Sequence, residues 1–115
     1  MEFNSIGYFQ FENLVQGRIP LLLVMLGNME IKPWYNSVVG MYLDQVTIRC
    51  QASEVEALVK EKNLPPHFAI IILDDNASVS PAVVAKLERA GHLNTYYVKG
   101  GFAGLLTERE QEKNG

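Results

Sequence analysis

The feature that most constrains this fold is the apolar segment at residues 68–73, FAIIIL, together with the helix and strand signals at residues 80–98. A continuous apolar run of this length is typical of a strand buried on both faces. A Ser-Pro pair at Ser80 predicts a helix start, since proline is favoured in the first turn, and Gly91 predicts the helix end. Residues 95–98, TYYV, then complete a strand–helix–strand unit with parallel strands and a right-handed crossover.

The rest of the chain alternates strand and helix signals in the same way. Further strands are predicted at residues 8–11, 21–26 and 46–50. Further helices are predicted at residues 12–17, 53–63 and 102–112. The second of them begins with a capping box of Ser53 and Glu56, and the third follows a turn at Gly100 and Gly101. Residues 27–42 are predicted to be irregular. This alternation indicates an α/β domain with a parallel central sheet and helices on both faces. In such sheets the working site lies at the carboxyl ends of the strands, which directs attention to the 74–80 loop.

The composition fits one folded domain. The 115 residues are 48% hydrophobic and 20% charged, which excludes a disordered body and predicts a single domain over residues 1–115 with a frayed tail at 110–115. A net charge of −3 offers no basic face to a nucleic acid. The N-terminal MEFNSIGYFQF lacks the pattern of a secretory signal, and the longest apolar run, residues 19–26, is too short to span a bilayer. We therefore expect a cytoplasmic protein that binds neither membrane nor nucleic acid.

The end of the chain carries a resemblance to a known family. An apolar strand, a short loop, a helix ending at Gly91 and the stretch NTYYVKGGF at residues 94–102 resemble a single rhodanese-like domain, and the resemblance covers almost the whole chain. Residues 21–26 look like the family's second strand. Residues 34–50 stand where the family has its histidine–proline–glycine segment and third strand, but those signature residues are absent. The resemblance implies an α/β rhodanese-like fold.

The resemblance also implies where a sulfurtransferase would carry its nucleophile. The family's active loop is similar to Cys-x-x-Gly-x-Arg-Ser, and its cysteine sulfur becomes a persulfide held by loop N–H groups and a helix N-terminus. Aligning Ser80 with the final serine places Asp74 at the cysteine, Ala77 at the glycine and Val79 at the arginine. An aspartate cannot carry sulfane sulfur, and its charge repels an anionic sulfur donor. The loop that has lost these groups consists of Asp74, Asp75, Asn76, Ala77, Ser78, Val79 and Ser80.

Two other chemical interpretations stay open. Asp74 and Asp75 follow an apolar strand, as an acid pair of a metal- or phosphate-dependent enzyme does; alternatively, one aspartate caps the turn or helix and the other is solvated. Cys50 is either a persulfide carrier or sulfurtransferase nucleophile, or a small buried apolar residue. As the only cysteine, it excludes an internal disulfide and a cysteine-rich metal site. No cofactor and no resident metal are expected.

Loss of the nucleophile within a retained framework predicts a catalytically inactive domain that serves as a protein-interaction or regulatory module. A shallow pocket is expected to remain at the 74–80 loop, where N–H groups would take a neutral or weakly anionic ligand.

A second candidate surface consists of Trp34, Tyr35, Met41 and Tyr42, which form either an exposed contact patch or a cover over the sheet. The expected partner is a protein of unknown identity. An alternative partner is a second copy of the chain, which would form a homodimer by pairing edge strands at residues 8–11 or 46–50.

Overall fold

A five-stranded parallel sheet forms the centre of the molecule within residues 4–114, the part of the chain that the computed structural model describes. Residues 1–3 and 115, which the predicted single domain includes, lie outside the described residues. The strands are β1 (Ser5–Ile6), β2 (Leu22–Met25), β3 (Thr47–Arg49), β4 (Ile70–Leu73) and β5 (Thr95–Val98). They lie side by side in the order β1-β5-β4-β2-β3, and every neighbouring pair is parallel.

The two strands at the middle of the sheet are buried along their whole length. β2 and β4 are paired residue for residue, from Leu22 with Ile70 to Met25 with Leu73. A central parallel strand has both faces covered, so its sequence is apolar without alternation. The strands predicted at residues 21–26, 68–73 and 95–98 are therefore confirmed.

Helices cover both faces of the sheet. They are α1 (Tyr8–Gln16), α2 (Ser37–Val46), α3 (Val55–Lys62), α4 (Ser80–Arg89) and α5 (Gly101–Asn114). Leu23 and Ile71 point to a core shared with α1, α2 and α5, and their neighbours Leu22 and Ile70 point to a core shared with α3 and α4. The predicted α/β architecture is confirmed. None of these helices is long and apolar enough to cross a membrane.

The strand predicted at residues 8–11 is wrong, because these residues form the first turn of α1. Phe11 and Val15, one helical turn apart, are buried against the sheet. The Gly7 N–H donates to Gln10 Oε1 at 2.9 Å, which caps the helix start. Alternation of aromatic and polar residues over only four positions fits a strand and a helix turn equally well.

A second helix was missed in the segment predicted to be irregular. After a 3₁₀ turn at Lys32–Trp34, α2 begins with Asn36 as its N-cap, whose Oδ1 accepts the Val39 N–H at 3.0 Å. α2 ends at Val46, so the strand predicted at 46–50 is confirmed only as the shorter edge strand β3.

The boundaries of the last predicted helices shift by a few residues. The capping box forms at Gln51, whose N–H donates to Glu54 Oε1 at 2.8 Å, and not at Ser53. A 3₁₀ turn at Ala52–Glu54 then leads into α3, which ends at Lys62 with Asn63 as its C-cap, close to the predicted end. α5 continues to Asn114, two residues beyond the predicted end of this helix at residue 112.

The end of α1 holds an arginine in the left-handed conformation. Arg18 has a φ of 50°, with its N–H bonded to the Val15 carbonyl at 3.0 Å and the Ile19 N–H bonded to the Leu14 carbonyl at 3.1 Å. This pair of bonds is a Schellman motif, in which glycine usually occupies the left-handed position. A side chain there costs about 1 kcal/mol relative to glycine.

We predict that Asn36→Ala lowers the free energy of unfolding by about 1 kcal/mol, because the first turn of α2 loses the acceptor for its Val39 N–H. The measurement is urea unfolding followed by circular dichroism. Ser53→Ala is the matched control, since Ser53 is exposed and does not cap α3, and it should leave stability unchanged. Equal losses in both variants would contradict the assigned cap.

Candidate functional site

The loop between β4 and α4 folds around the carboxylate of Asp74. This side chain is 4% exposed. Its Oδ1 accepts the Ala77 N–H at 2.7 Å, and its Oδ2 accepts the N–H groups of Val79 and Ser80, both at 2.8 Å. The hydroxyl of Ser80, fully buried, donates to Oδ1 at 3.1 Å. The loop therefore encloses an anion that belongs to the chain itself.

The Asp74 carboxylate also accepts hydrogen bonds from backbone N–H groups at the start of α4. The first N–H groups of a helix have no partner within the helix and carry its positive dipole end. Val79 and Ser80 supply two of these groups, and both donate to Asp74. The aspartate thus acts as a cap that reaches the helix from the preceding strand end.

The predicted ligand pocket at this loop is wrong in one respect. The N–H groups of Ala77, Val79 and Ser80, expected to face a ligand, donate inward to Asp74. The two aspartates separate as the capping alternative predicts, with Asp74 buried and Asp75 exposed. No three His, Cys, Asp or Glu side chains within residues 4–114 come together as metal ligands.

Ala77 is held in a backbone conformation that glycine adopts more easily. Its φ is 64°, in the left-handed region, which costs an alanine about 1 kcal/mol. This is the position that the sequence alignment places at the family's loop glycine. The bond from its N–H to Asp74 holds this conformation in place.

The start of α5 fixes the loop from the other side. The Phe102 N–H donates to the Asp74 carbonyl at 2.7 Å, and the Ala103 N–H donates to the Asp75 carbonyl at 2.9 Å. Gly101 has a φ of 63°, and a Cβ there would lie 2.6 Å from the Asp74 carbonyl oxygen. The predicted Gly-Gly turn is confirmed, and its function is close backbone approach to the loop.

Cys50 follows β3 and sits half-buried on the face covered by α3 and α4. Its N–H donates to the Met25 carbonyl at 3.2 Å, which continues the sheet pairing. Burial, and then the negative charge of Glu54, raise the pKa of the Cys50 thiol. A raised pKa lowers the thiolate fraction at neutral pH, and thiolate is the reactive form.

The second candidate surface does not form one patch. Trp34 stacks on Phe102 with ring centroids 5.5 Å apart, and the Arg109 guanidinium lies 4.8 Å from the Trp34 ring. The Tyr35 hydroxyl donates to Glu12, and burial followed by this bond raises the pKa of Tyr35. Trp34 therefore packs the 3₁₀ turn against α5, and the adjacent Tyr35 links it to α1.

Tyr42 and Met41 are neighbours on α2 that differ in burial. Tyr42 is buried, its hydroxyl donates to the Ile19 carbonyl at 2.6 Å, and burial raises its pKa to about 12. Met41 is 64% exposed, and Val38, one turn earlier, is also exposed. Sequence reasoning did not single out Val38 because it left this segment without a helix; the apolar pair at i and i+3 was the available signal.

The fold has close structural relatives among solved proteins. A thiosulfate sulfurtransferase from Pseudomonas aeruginosa superposes with a TM-score of 0.66 at 15% identity, over 92% of this chain and 19% of that chain. A protein from Lactobacillus plantarum superposes with a TM-score of 0.64 at 13% identity, over 92% of this chain and 84% of that one. The chain thus spans about a fifth of the length of the Pseudomonas protein.

At these identities the likeness concerns the fold, and it confirms the rhodanese-like fold that the sequence resemblance implied. No family model matches the chain, and no curated protein sequence matches it.

We predict that Asp74→Asn destabilises the protein by about 3 kcal/mol, because an amide replaces one acceptor oxygen with a donor that faces loop N–H groups. Thermal and urea unfolding measure the loss. Asp75→Asn is the matched control because its side chain is exposed, and it should change stability by less than about 0.5 kcal/mol. A fully stable Asp74→Asn variant would show that the carboxylate does not hold the loop.

We predict that Gly101→Ala costs several kcal/mol, since the added methyl group meets backbone atoms of the loop at 2.6–2.7 Å and the φ is positive. Gly7→Ala is the control because a Cβ there meets open space, and it should cost less than about 1 kcal/mol. Differential scanning calorimetry of the two variants compares them directly. Similar melting temperatures would contradict the close approach of α5 to the loop.

Proposed function

We propose that this chain is a catalytically inactive rhodanese-fold domain that serves as a protein-interaction or regulatory module. The observation that carries the proposal is the Asp74 carboxylate, which accepts three backbone N–H groups and the Ser80 hydroxyl. Backbone donors of such a loop stabilise a sulfur nucleophile or an anionic donor only if they are free to point at it. Here they are engaged by an aspartate, which cannot form a persulfide.

The rim of the loop supports the same proposal. Val79, at the position aligned with the family's arginine, is exposed and offers no charge to a sulfur oxyanion. Asp75 adds an exposed negative charge to the same loop. An approaching anion therefore meets negative charge and finds no guanidinium at position 79.

A persulfide carrier built on Cys50 is the alternative, and its chemistry is less favourable. The raised pKa of this thiol leaves little thiolate at neutral pH. The Cys50 side chain also packs against the apolar core on the α3 and α4 face. A metal- or phosphate-dependent site at Asp74 and Asp75 is less favoured again, because the buried carboxylate already accepts four hydrogen bonds.

The proposed setting is the cytoplasm, where a lone half-buried thiol persists in reduced form. The proposed partner is a protein. The expected absence of a nucleic-acid ligand rests on the net charge of −3.

The experiment is a thiosulfate:cyanide sulfurtransfer assay, together with intact mass spectrometry after incubation with thiosulfate. We expect no turnover and no sulfur adduct in the wild-type protein, and the same result in Cys50→Ser. Asp74→Cys tests the loop itself, because it places a thiol beside the N–H groups of Ala77, Val79 and Ser80; a sulfur adduct confined to this variant would support the alignment. Turnover in the wild type that disappears in Cys50→Ser would refute the proposal and establish Cys50 as the sulfur carrier.

A further inference from the structure

A groove lined by both apolar and polar side chains runs along the exposed face of α2. It has a volume of about 590 Å³, and its walls are formed by Gly17, Arg18, Val38, Met41, Tyr42 and Gln45. A surface helix normally presents polar side chains to water. α2 instead presents Val38, 50% exposed, and Met41, 64% exposed, at positions one turn apart.

The floor of the groove is fixed by a tertiary contact. The Tyr42 hydroxyl donates to the Ile19 carbonyl at 2.6 Å, which ties α2 to the turn after α1. Ile19 is itself 40% exposed, so apolar surface continues from the helix onto this turn. The groove is therefore held in shape by bonds within the domain.

Arg18 stands at the rim and is the one formal charge among the groove's lining residues. It occupies the left-handed position of a Schellman motif, where glycine is the unstrained choice. Across the described residues, no carboxylate forms an ion pair with it. A strained, exposed and unpaired arginine beside apolar surface points to a role outside the fold of this domain.

Size and charge determine what the groove accommodates. The exposed apolar residues are few, and a patch of this extent is smaller than the surface that a stable dimer of two such chains buries. A short segment needs less area, since one or two anchoring side chains carry most of its binding energy. The arginine adds a requirement for a carboxylate at one end of that segment.

We propose that the α2 groove binds a short peptide segment of a partner protein, in which one or two apolar side chains contact Val38 and Met41 and a neighbouring Asp or Glu pairs with Arg18. This inference rests on the proposed interaction role and specifies its site and the chemistry of its partner. Binding requires no chemical step and leaves the 74–80 loop unused.

The test begins with a phage-displayed library of random short peptides selected on the full chain. We expect enriched sequences to combine apolar residues with an adjacent Asp or Glu. In ¹H–¹⁵N spectra, a synthetic enriched peptide should shift the signals of α2 and of residues 17–19. Selection of no peptide, selection of basic peptides, or shifts confined to the 74–80 loop would each overturn the inference.

Variants of the groove then test each contact. Met41→Asp and Arg18→Glu should each weaken binding of the enriched peptide about tenfold or more, as expected for one anchoring contact or one charge-assisted bond. Leu93→Asp is the matched control, because Leu93 is 71% exposed on a different loop, and it should bind as the wild type does. The same peptide with its acid replaced by Lys should bind Arg18→Glu more tightly than it binds the wild type.

Arg18→Gly separates binding from folding. Relief of the left-handed strain should raise the Tm by about a few degrees, while peptide binding falls. A variant that gains stability and keeps full peptide affinity would overturn the role of Arg18. Sedimentation would show whether the wild type self-associates and whether Met41→Asp abolishes the association. That result would identify a second copy of the chain as the occupant of the groove and refute the peptide proposal.

The sulfurtransfer assay on the same preparation separates this inference from the proposed function. If no peptide is selected and no sulfur is transferred, the proposal that the α2 groove binds a peptide is refuted, and the proposal of an inactive domain stands. Sulfur transfer by the wild-type protein refutes the proposed function, whether or not a peptide is selected.

Discussion

The rest of the structure depends on the burial of β2 and β4 on both faces. Two adjacent parallel strands made only of apolar residues cannot face water on either side, so helices must cover both. Parallel pairing also requires each connection to return across the sheet, which places every β-to-α loop at the same edge. The position of the 74–80 loop, of Cys50 and of the segment before α2 at one edge is therefore a consequence of the apolar runs in the middle of the sheet.

Sequence reasoning succeeded where burial alone decides the structure. The apolar runs at 21–26 and 68–73 have the length of strands, and the run at 68–73 is rich in isoleucine, which favours a buried strand over a buried helix. α4 begins at a Ser-Pro pair because proline is favoured in the first turn of a helix. Sequence reasoning failed where short patterns fit two structures, as at residues 8–11, and where Gly40 and β-branched residues concealed the helical spacing of Val39, Tyr42 and Leu43. There the tertiary contact of α2 with the sheet overrides weak local propensity.

The sequence predicted where the candidate site lies, but it did not predict the hydrogen bonds within the loop. The alignment identified Asp74, Ala77 and Val79 as the substituted positions, and the positive φ of Ala77 fits a site that glycine would occupy. What the sequence did not reveal is that the carboxylate turns inward and engages the loop N–H groups. That outcome depends on the three-dimensional closeness of a strand end and a helix start, and on the carbonyls of Asp74 and Asp75 that hold α5 against them.

The inward carboxylate also determines what a change of side chain at position 74 would cost. Enzymes commonly keep active-site donors unsatisfied at rest, which lowers stability in exchange for activity. In this loop the N–H groups donate to a carboxylate of the chain itself, so these hydrogen bonds contribute to the free energy of folding. A thiol at position 74 would leave the N–H groups of Ala77, Val79 and Ser80 without a strong acceptor. A chain that exchanged this carboxylate for a thiol would therefore first lose stability, and any benefit from the new side chain would have to exceed that loss.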